Sequence, residues 1–182
     1  MIRGHAYLGI PATLRTALHG EVVERLLANE RVGRRAPGLE VAWHLIRAGR
    51  RDEATPYLLS GAQEAMRGGA PHEAERGLAT SMDHLREPDR SEALVLLGEA
   101  LQEQGRDAES IAVLEQVASD APLELRVRKN VLVLMAQRFL TPRSPDEQGD
   151  AIRQILEEGQ KATRLNTRLR SLRLAALYYR EV

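Results

Sequence analysis

The sequence predicts an all-α protein, an α-solenoid in which about nine helices stack as antiparallel hairpins. Aromatic residues make up only 3% of the 182 residues while leucine and alanine are abundant, which favours helix-on-helix packing over a sheet rich in β-branched and aromatic side chains. Glycine and proline divide the chain into segments of helical length, within which apolar residues recur every three or four positions. We expect a single helical domain over residues 1–182.

The first four helices follow from this spacing and from the turns between them. In the first, the apolar residues Leu14, Leu18, Val22 and Leu26 share one face. Pro71 opens the fourth helix, because the first helical position tolerates a residue without an N–H group. The predicted helices are Pro11–Asn29, Leu39–Ala48, Asp52–Arg67 and Pro71–Leu85.

The clearest pattern lies within residues 92–122 and predicts a helical hairpin. Leu94, Leu97 and Leu101 line one face of its first helix, and Gly98 lies on that face where a second backbone must come close. Gly105 is expected to end this helix, because glycine readily adopts the left-handed conformation that closes a helix. The second helix carries a small residue near its start and an apolar stripe, and it stops at a proline: Ser110, Ile111, Leu114, Val117 and Pro122.

Three further helices are predicted after the hairpin. The seventh covers Leu123–Leu140. The eighth begins at Ser144, because a serine cap, a following proline and Glu147 three residues after the cap together form a capping box; it runs to about Thr163. The ninth spans about Asn166–Arg180, and its expected buried face is formed by Leu169, Leu172, Ala176 and Tyr179.

The turn glycines indicate internal repetition. Gly49, Gly69 and Gly105 are each followed five positions later by a small residue, namely Ala54, Ala74 and Ser110. With its leucine, glycine and proline spacing, the stretch over residues 92–122 resembles one tetratricopeptide repeat, a helical hairpin of about 34 residues. The resemblance implies a surface that holds protein partners.

A wider resemblance covers roughly the first 120 residues. The stretches Val41–Arg50 and Asp52–Leu59 resemble the start of the helical array in bacterial signal-transducing ATPases, which include LuxR-type transcriptional regulators and ATPase modules fused to kinases or cyclases. The opening stretch Ile2–Tyr7, with Arg15 and Ala17–His19 after it, is similar to the segment that precedes this array. The resemblance implies that the chain is the sensor or repeat region of a larger multidomain protein.

Composition and charge exclude several classes of function. The 26 basic and 26 acidic residues balance, so the positive surface of a dedicated nucleic-acid binder is not expected. The chain contains no cysteine, which rules out disulfides and thiolate metal sites. Because no apolar run approaches the length of about 18 residues needed for a membrane span, and no signal peptide is recognisable, we expect a cytoplasmic protein without membrane contact.

Searches for a catalytic site lead to the expectation that the chain is not an enzyme. The only two lysines, Lys129 and Lys161, are not preceded by the glycines of a phosphate-binding loop, so ATP hydrolysis is not expected. The histidines show no paired metal-ligand spacing, and we expect neither a metal nor another cofactor. A set of arginines near the end alternates with leucines and indicates an amphipathic helix with a solvent-facing side: Arg164, Arg168, Arg170 and Arg173.

The tetratricopeptide resemblance implies a binding groove lined by the first helix of each hairpin. One wall would be acidic and the next basic, an arrangement that could hold a charged peptide or another domain of the same protein. The competing interpretation is that these positions are ordinary solvated side chains. The groove residues are Glu92, Val95, Glu99, Gln102 and Glu103 from the fifth helix and Arg126, Lys129, Asn130, Val133 and Gln137 from the seventh.

Two functions remain open from the sequence. The favoured one is a non-enzymatic protein-interaction or regulatory sensor module of a bacterial signalling ATPase, in which exposed terminal helices could also pair with a second copy. The alternative is a receptor for a small inducer ligand. Its pocket would lie between helices and would need polar groups among apolar walls, and the candidate cluster is Tyr7, Trp43, His44 and Tyr57.

Overall fold

The computed structural model describes residue 7 and the ranges 9–31, 36–140 and 144–181, and this part of the chain is helical without any strand. A short 3-10 turn, Met82–His84, follows the fourth helix, which ends at Ser81 and so is shorter than predicted. The all-α class is therefore confirmed. The nine α-helices of the described residues are α1 Ala12–Arg31, α2 Gly38–Arg47, α3 Arg51–Arg67, α4 Pro71–Ser81, α5 Asp89–Glu103, α6 Asp107–Leu114, α7 Leu123–Leu140, α8 Pro145–Lys161 and α9 Leu165–Glu181.

The contacts divide the chain into two units, Met1–Leu85 and Arg86–Val182. In the first unit α2 packs against α1, α3 and α4, and α3 also packs against α4. In the second unit α7 packs against its neighbours α6 and α8 and also against α5 and α9, which lie two helices away along the chain. Contacts between helices one or two places apart are typical of stacked hairpins. The solenoid over residues 1–182 stays a prediction.

The three predicted turns have the same geometry. Gly49, Gly69 and Gly105 have φ angles of +79°, +73° and +73°, the left-handed region in which glycine carries no steric penalty. At the third turn the N–H of Gly105 donates to the carbonyl of Gln102 and the N–H of Arg106 donates to that of Leu101, each at 2.9 Å. This pair of bonds is a Schellman motif, which satisfies carbonyl groups at the end of a helix.

The hairpin of α5 and α6 is present, but α6 ends at Leu114 and not at Pro122, where the sequence pattern predicts its end. Leu94 and Leu101 are buried, and the Ser110 hydroxyl donates to the carbonyl of Gly98 at 2.9 Å. A β-carbon at Gly98 would lie only 2.7 Å from the Leu114 side chain, so any larger residue at this position would force the buried Leu114 side chain to move. The close approach expected from the small residues is therefore confirmed.

The start of α8 also agrees with the sequence. Glu147 donates its backbone N–H to the Ser144 hydroxyl at 3.3 Å, and the N–H of Ser144 donates to the Glu147 carboxylate at 3.1 Å. This is the reciprocal pair of a capping box, which satisfies two backbone donors that the helix itself leaves unpaired.

The predicted buried face of α9 is wrong. Leu169 and Leu172 are 51% and 52% exposed, and Ala176 is exposed as well; the side chain of Tyr179 lies outside the described residues. The buried side of the helix instead carries small and polar residues: Thr167, Ser171 and Ala175. The physical reason lies in the neighbouring helix, because a β-carbon at Gly159 of α8 would lie 2.3 Å from the Ser171 hydroxyl. At such a close approach only small side chains fit between the helices.

Within the described ranges, none of the helices combines the length and the apolarity that crossing a membrane requires.

Candidate functional site

A cleft of about 680 Å³ lies in the first unit between α2 and α4. Its volume falls within the range of about 300–1,000 Å³ that small-molecule sites occupy. Leu39, Ile46 and Leu58 supply apolar surface, while charged groups come from both helices and hydroxyl groups from α4. The lining residues are Leu39, Glu40, Ala42, Trp43, His44, Ile46 and Arg47 of α2, Leu58 of α3, Glu73, Arg76, Gly77, Thr80 and Ser81 of α4, and His84 of the 3-10 turn.

The amphipathic pattern of α2 determines which of its residues face the cleft. Val41, Ala42 and Leu45 are almost completely buried and attach the helix to its neighbours. Trp43 and Arg47 lie four residues apart and therefore on one face of the helix, and both are exposed. Burial of the apolar face thus leaves an aromatic ring and a guanidinium group on the wall of the cleft.

A chain of hydrogen bonds supports this wall from behind. The Tyr7 hydroxyl bonds to Nε2 of His19 at 2.8 Å, and Nδ1 of His19 bonds to Nδ1 of His44 at 2.9 Å. One imidazole must donate and the other accept at the second contact, so only one of the two Nδ1 atoms carries a proton. These hydrogen bonds connect Tyr7, which precedes α1, to α1 and then to α2.

Ring contacts hold Trp43 in place beside these histidines. Its ring centroid lies 5.0 Å from that of His19 and 4.7 Å from that of His44, in edge-to-face arrangements of 82° and 84°. The guanidinium carbon of Arg47 lies 4.4 Å from the Trp43 centroid, within the range of a cation–π contact. This wall of the cleft is therefore preorganised rather than loosely placed.

Both histidines are shifted toward their neutral forms. Burial lowers the pKa of His19, and the neighbouring His44, Arg47 and Arg15 lower it further. Burial also lowers the pKa of His44, helped by Arg47 and opposed by the Glu40 carboxylate. Both shifts favour the neutral imidazole, because desolvation and nearby positive charge disfavour the imidazolium form.

The structure brings three of the four predicted pocket residues together. Tyr7, Trp43 and His44 belong to one cluster, of which Trp43 and His44 line the cleft and Tyr7 does not. Tyr57 lies on α3 and does not line the cleft either. The residue that sequence reasoning missed is His19, which connects the other three. A signal for it existed, because His19 and the buried Val23 are four residues apart on one face of α1.

The predicted groove in the second unit is only partly a surface. Val95 is fully buried, so the prediction that it faces a partner is wrong: nine of the 15 residues of α5 are buried, and not only its leucines. Gln102 donates to the carbonyl of Leu132 at 2.7 Å and is thereby committed within the fold. Glu103 is exposed, Asn130 donates to Glu158 at 3.4 Å, and the remaining positions are half-buried: Glu92, Arg126, Lys129, Val133 and Gln137.

Glu99, one of the acidic residues of this groove, is neutralised inside the protein. The two carboxylate oxygens of Glu99 accept hydrogen bonds from Arg128, at 3.1 Å, and from Arg170. The side chains of Glu99 and Arg128 are only 14% and 15% exposed, so this pair is shielded from water. Neither arginine was among the predicted groove residues, because the contact joins α5 to α7 and α9 across long stretches of sequence.

Within the described residues, no three histidine or acidic side chains come close enough together to hold a metal ion.

No protein-family model, curated protein or solved structure matches this chain.

Proposed function

We propose that this chain is a non-enzymatic sensor module that binds a small ligand in the cleft between α2 and α4. The observation that carries the proposal is the cleft itself, which combines apolar surface with convergent polar groups around a fixed aromatic wall. Such a combination is the usual composition of a small-molecule site. A ligand with a flat apolar part and hydrogen-bonding substituents fits this chemistry.

The opposite wall of the cleft supports the same interpretation. Arg76 and Thr80 lie one turn apart on α4, and His84 follows in the 3-10 turn. These residues offer donors and acceptors opposite His44 and Arg47. Since the polar groups come from two helices, a ligand bound between them would link α2 to α4, which is how a sensor helix pair can transmit occupancy to the rest of a protein.

The arrangement of the histidines favours binding over catalysis. Both ring nitrogens of His19 are engaged, one by Tyr7 and one by His44, so this imidazole is not free to accept a substrate proton. A role as positioning group behind Trp43 is consistent with these bonds. We therefore propose that Tyr7, His19 and His44 shape the cleft and perform no chemical step.

We further propose that the parent protein is a bacterial signal-transducing ATPase, acting in the cytoplasm on transcription or another signalling output. The support is the resemblance of Val41–Arg50 and Asp52–Leu59 noted above, because these stretches form most of α2 and the first half of α3 and so contribute one wall of the cleft and Leu58. In this setting the ligand would act as an inducer.

The experiment is a thermal-shift screen of the purified chain against a metabolite library, followed by titration of each hit with Trp43 fluorescence as a second reading. A ligand present at a hundred times its dissociation constant would stabilise the chain by about 2.7 kcal/mol. The cleft variant is Thr80→Phe, which places a ring into the cleft from an exposed position; the control is Ala79→Phe, an exposed neighbour on α4 that does not line the cleft.

We expect saturable stabilisation that Thr80→Phe abolishes and Ala79→Phe preserves. A library without any saturable hit, or a hit that both variants bind equally, would contradict the assignment of the cleft.

A second candidate function, binding of a protein partner, is favoured by a different observation on α9.

A further inference from the structure

The outer face of α9 carries a stripe of exposed leucines. Leu165, Leu169 and Leu172 are 67%, 51% and 52% exposed, and Ala176 continues the stripe one turn later. Removing apolar surface from water is favourable, so a face that leaves half or more of each of these three leucines exposed retains a driving force for association.

Packing within the second unit keeps this face outside. The opposite side of α9 is occupied by Ser171, which lies against the backbone of Gly159, and by Ala175, which belongs to the core with Val127 and Ile152. If α9 were rotated so that its leucines faced α8, branched side chains would have to fit at a contact where even a β-carbon added to Gly159 would collide with Ser171. The exposure is therefore a consequence of the fold and not of a loosely attached helix.

The spacing of the stripe matches one strand of a coiled coil. Successive members are four, three and four residues apart, which corresponds to heptad positions d, a, d and a for Leu165, Leu169, Leu172 and Ala176. A seam restricted to these positions is narrower than the apolar face of a helix that lies on a membrane. The geometry therefore favours a partner helix over a lipid surface.

Charge beside the seam identifies the kind of helix. In this register Arg168 is at a g position and Arg173 at an e position, both exposed, and residues 165–176 contain no acidic side chain. In a second copy of α9, a parallel pair would place Arg168 against Arg173, and an antiparallel pair would place each arginine against its own equivalent. Both arrangements bring like charges together, which disfavours self-pairing.

We infer that this face of α9 binds one amphipathic helix of a partner protein, with leucine-type residues at its a and d positions and glutamates at its e and g positions. The inference rests on the proposed role of the chain as a binding module, but it uses neither the cleft nor its ligand. It names a second site, with a partner of defined chemistry, on the other unit of the chain.

The test uses two synthetic four-heptad peptides with leucine at a and d, one with glutamate and one with lysine at every e and g position. Each peptide repels itself and so stays available for the protein. Fluorescence anisotropy at low and at moderate salt measures binding of both peptides to the full chain. We expect at least tenfold tighter binding of the glutamate peptide, a preference that decreases as salt is added.

Two variants sharpen the result. The double charge reversal Arg168→Glu with Arg173→Glu should exchange the preference, so that the lysine peptide binds at least tenfold tighter. Leu169→Gln should weaken binding of the glutamate peptide at least tenfold, whereas Leu14→Gln, at a leucine of α1 that is also 51% exposed, should leave it unchanged. If circular dichroism shows that Leu169→Gln does not fold, the double charge reversal still tests the inference, because it predicts that the lysine peptide becomes the preferred one.

Equal affinity for the two peptides, or no binding of either, would overturn the inference. So would sedimentation showing that the wild type self-associates through Leu169, or binding to phosphatidylglycerol vesicles without any peptide preference, because these results would assign the face to a second copy or to a membrane. The cleft variant Thr80→Phe should bind the glutamate peptide like the wild type, which separates failure at this site from failure at the cleft.

Discussion

His19 and His44 meet through their Nδ1 atoms, 2.9 Å apart, although they belong to different helices and lie 25 residues apart in sequence. The contact requires one nitrogen with a proton and one without, so it exists only while at least one ring is neutral. The positive charges of Arg15 and Arg47 disfavour protonation of these histidines, whereas the Glu40 carboxylate favours protonation of His44. The first unit therefore contains a contact that acid should break.

The first prediction is a loss of stability on mild acidification. Both histidines have a folded-state pKa below the ordinary value of 6.5, so the unfolded chain binds more protons than the folded chain once the pH falls to about that value. The free energy of unfolding should then be highest above pH 6.5 and fall as the pH is lowered toward the folded-state pKa values. Urea unfolding followed from pH 8 to pH 5 measures this.

The variant His44→Asn should show a smaller decrease over the same range, because an asparagine keeps a polar group near Nδ1 but does not titrate. The control is His72→Asn at an exposed position. Trp43, the only tryptophan of the chain, gives an independent reading, since a protonated imidazole beside its ring quenches indole fluorescence. Equal pH dependence in the wild type and in His44→Asn would contradict this prediction.

The second prediction concerns the close contact between α2 and α3. A β-carbon at Gly61 would lie 2.4 Å from the backbone nitrogen of Leu39, so Gly61→Ala should force the helices apart and cost about 1–3 kcal/mol. At Gly20 of α1 a β-carbon meets nothing within 4 Å, and Gly20→Ala should stabilise the chain by about 0.5–1 kcal/mol through helix propensity. Urea unfolding of both variants measures the changes in the free energy of unfolding, which should have opposite signs. Changes of the same sign would contradict the close contact at Gly61.

The third prediction separates the core of the hairpin from the outer face of α9. Leu101 is 3% exposed, and Leu101→Ala should lower the free energy of unfolding by about 2–5 kcal/mol because it removes buried methyl groups and leaves a cavity. Leu172 is 52% exposed, so Leu172→Ala should change it by less than about 0.5 kcal/mol. Comparable losses in the two variants would show that one of these placements is wrong.

The fourth prediction replaces the view of Glu99 as a free groove residue. Since its carboxylate accepts from Arg128 and Arg170, Glu99→Arg would gather three guanidinium groups in a shielded site. We expect a loss of about 1.5–3 kcal/mol, the range for hydrogen bonds to charged groups. The same change at exposed Glu103, one turn later on α5, should be nearly neutral. Thermal unfolding compares the two, and an unaffected melting temperature in Glu99→Arg would contradict the role given to the carboxylate.

Local features of the fold were predictable because their causes lie within a few residues of sequence. Gly105 ends α5 through bonds to carbonyls of the preceding turn, and Ser144 with Glu147 starts α8 through a contact across three residues. The hairpin of α5 and α6 likewise depends on leucine spacing and on the small residues Gly98 and Ser110. Helix propensity, capping and turn chemistry act over such short distances, and they determine where helices begin and end.

Only the tertiary structure decided which face of each helix is used. The leucines of α9 look like a core stripe in the sequence, but Gly159 brings α8 so close that Ser171 occupies the interface instead. The cluster around His19 depends in the same way on where α1 meets α2. A helix pattern shows that two faces differ in polarity. The separation of the neighbouring backbones decides which face can be buried, and that separation is set by residues of the neighbouring helix.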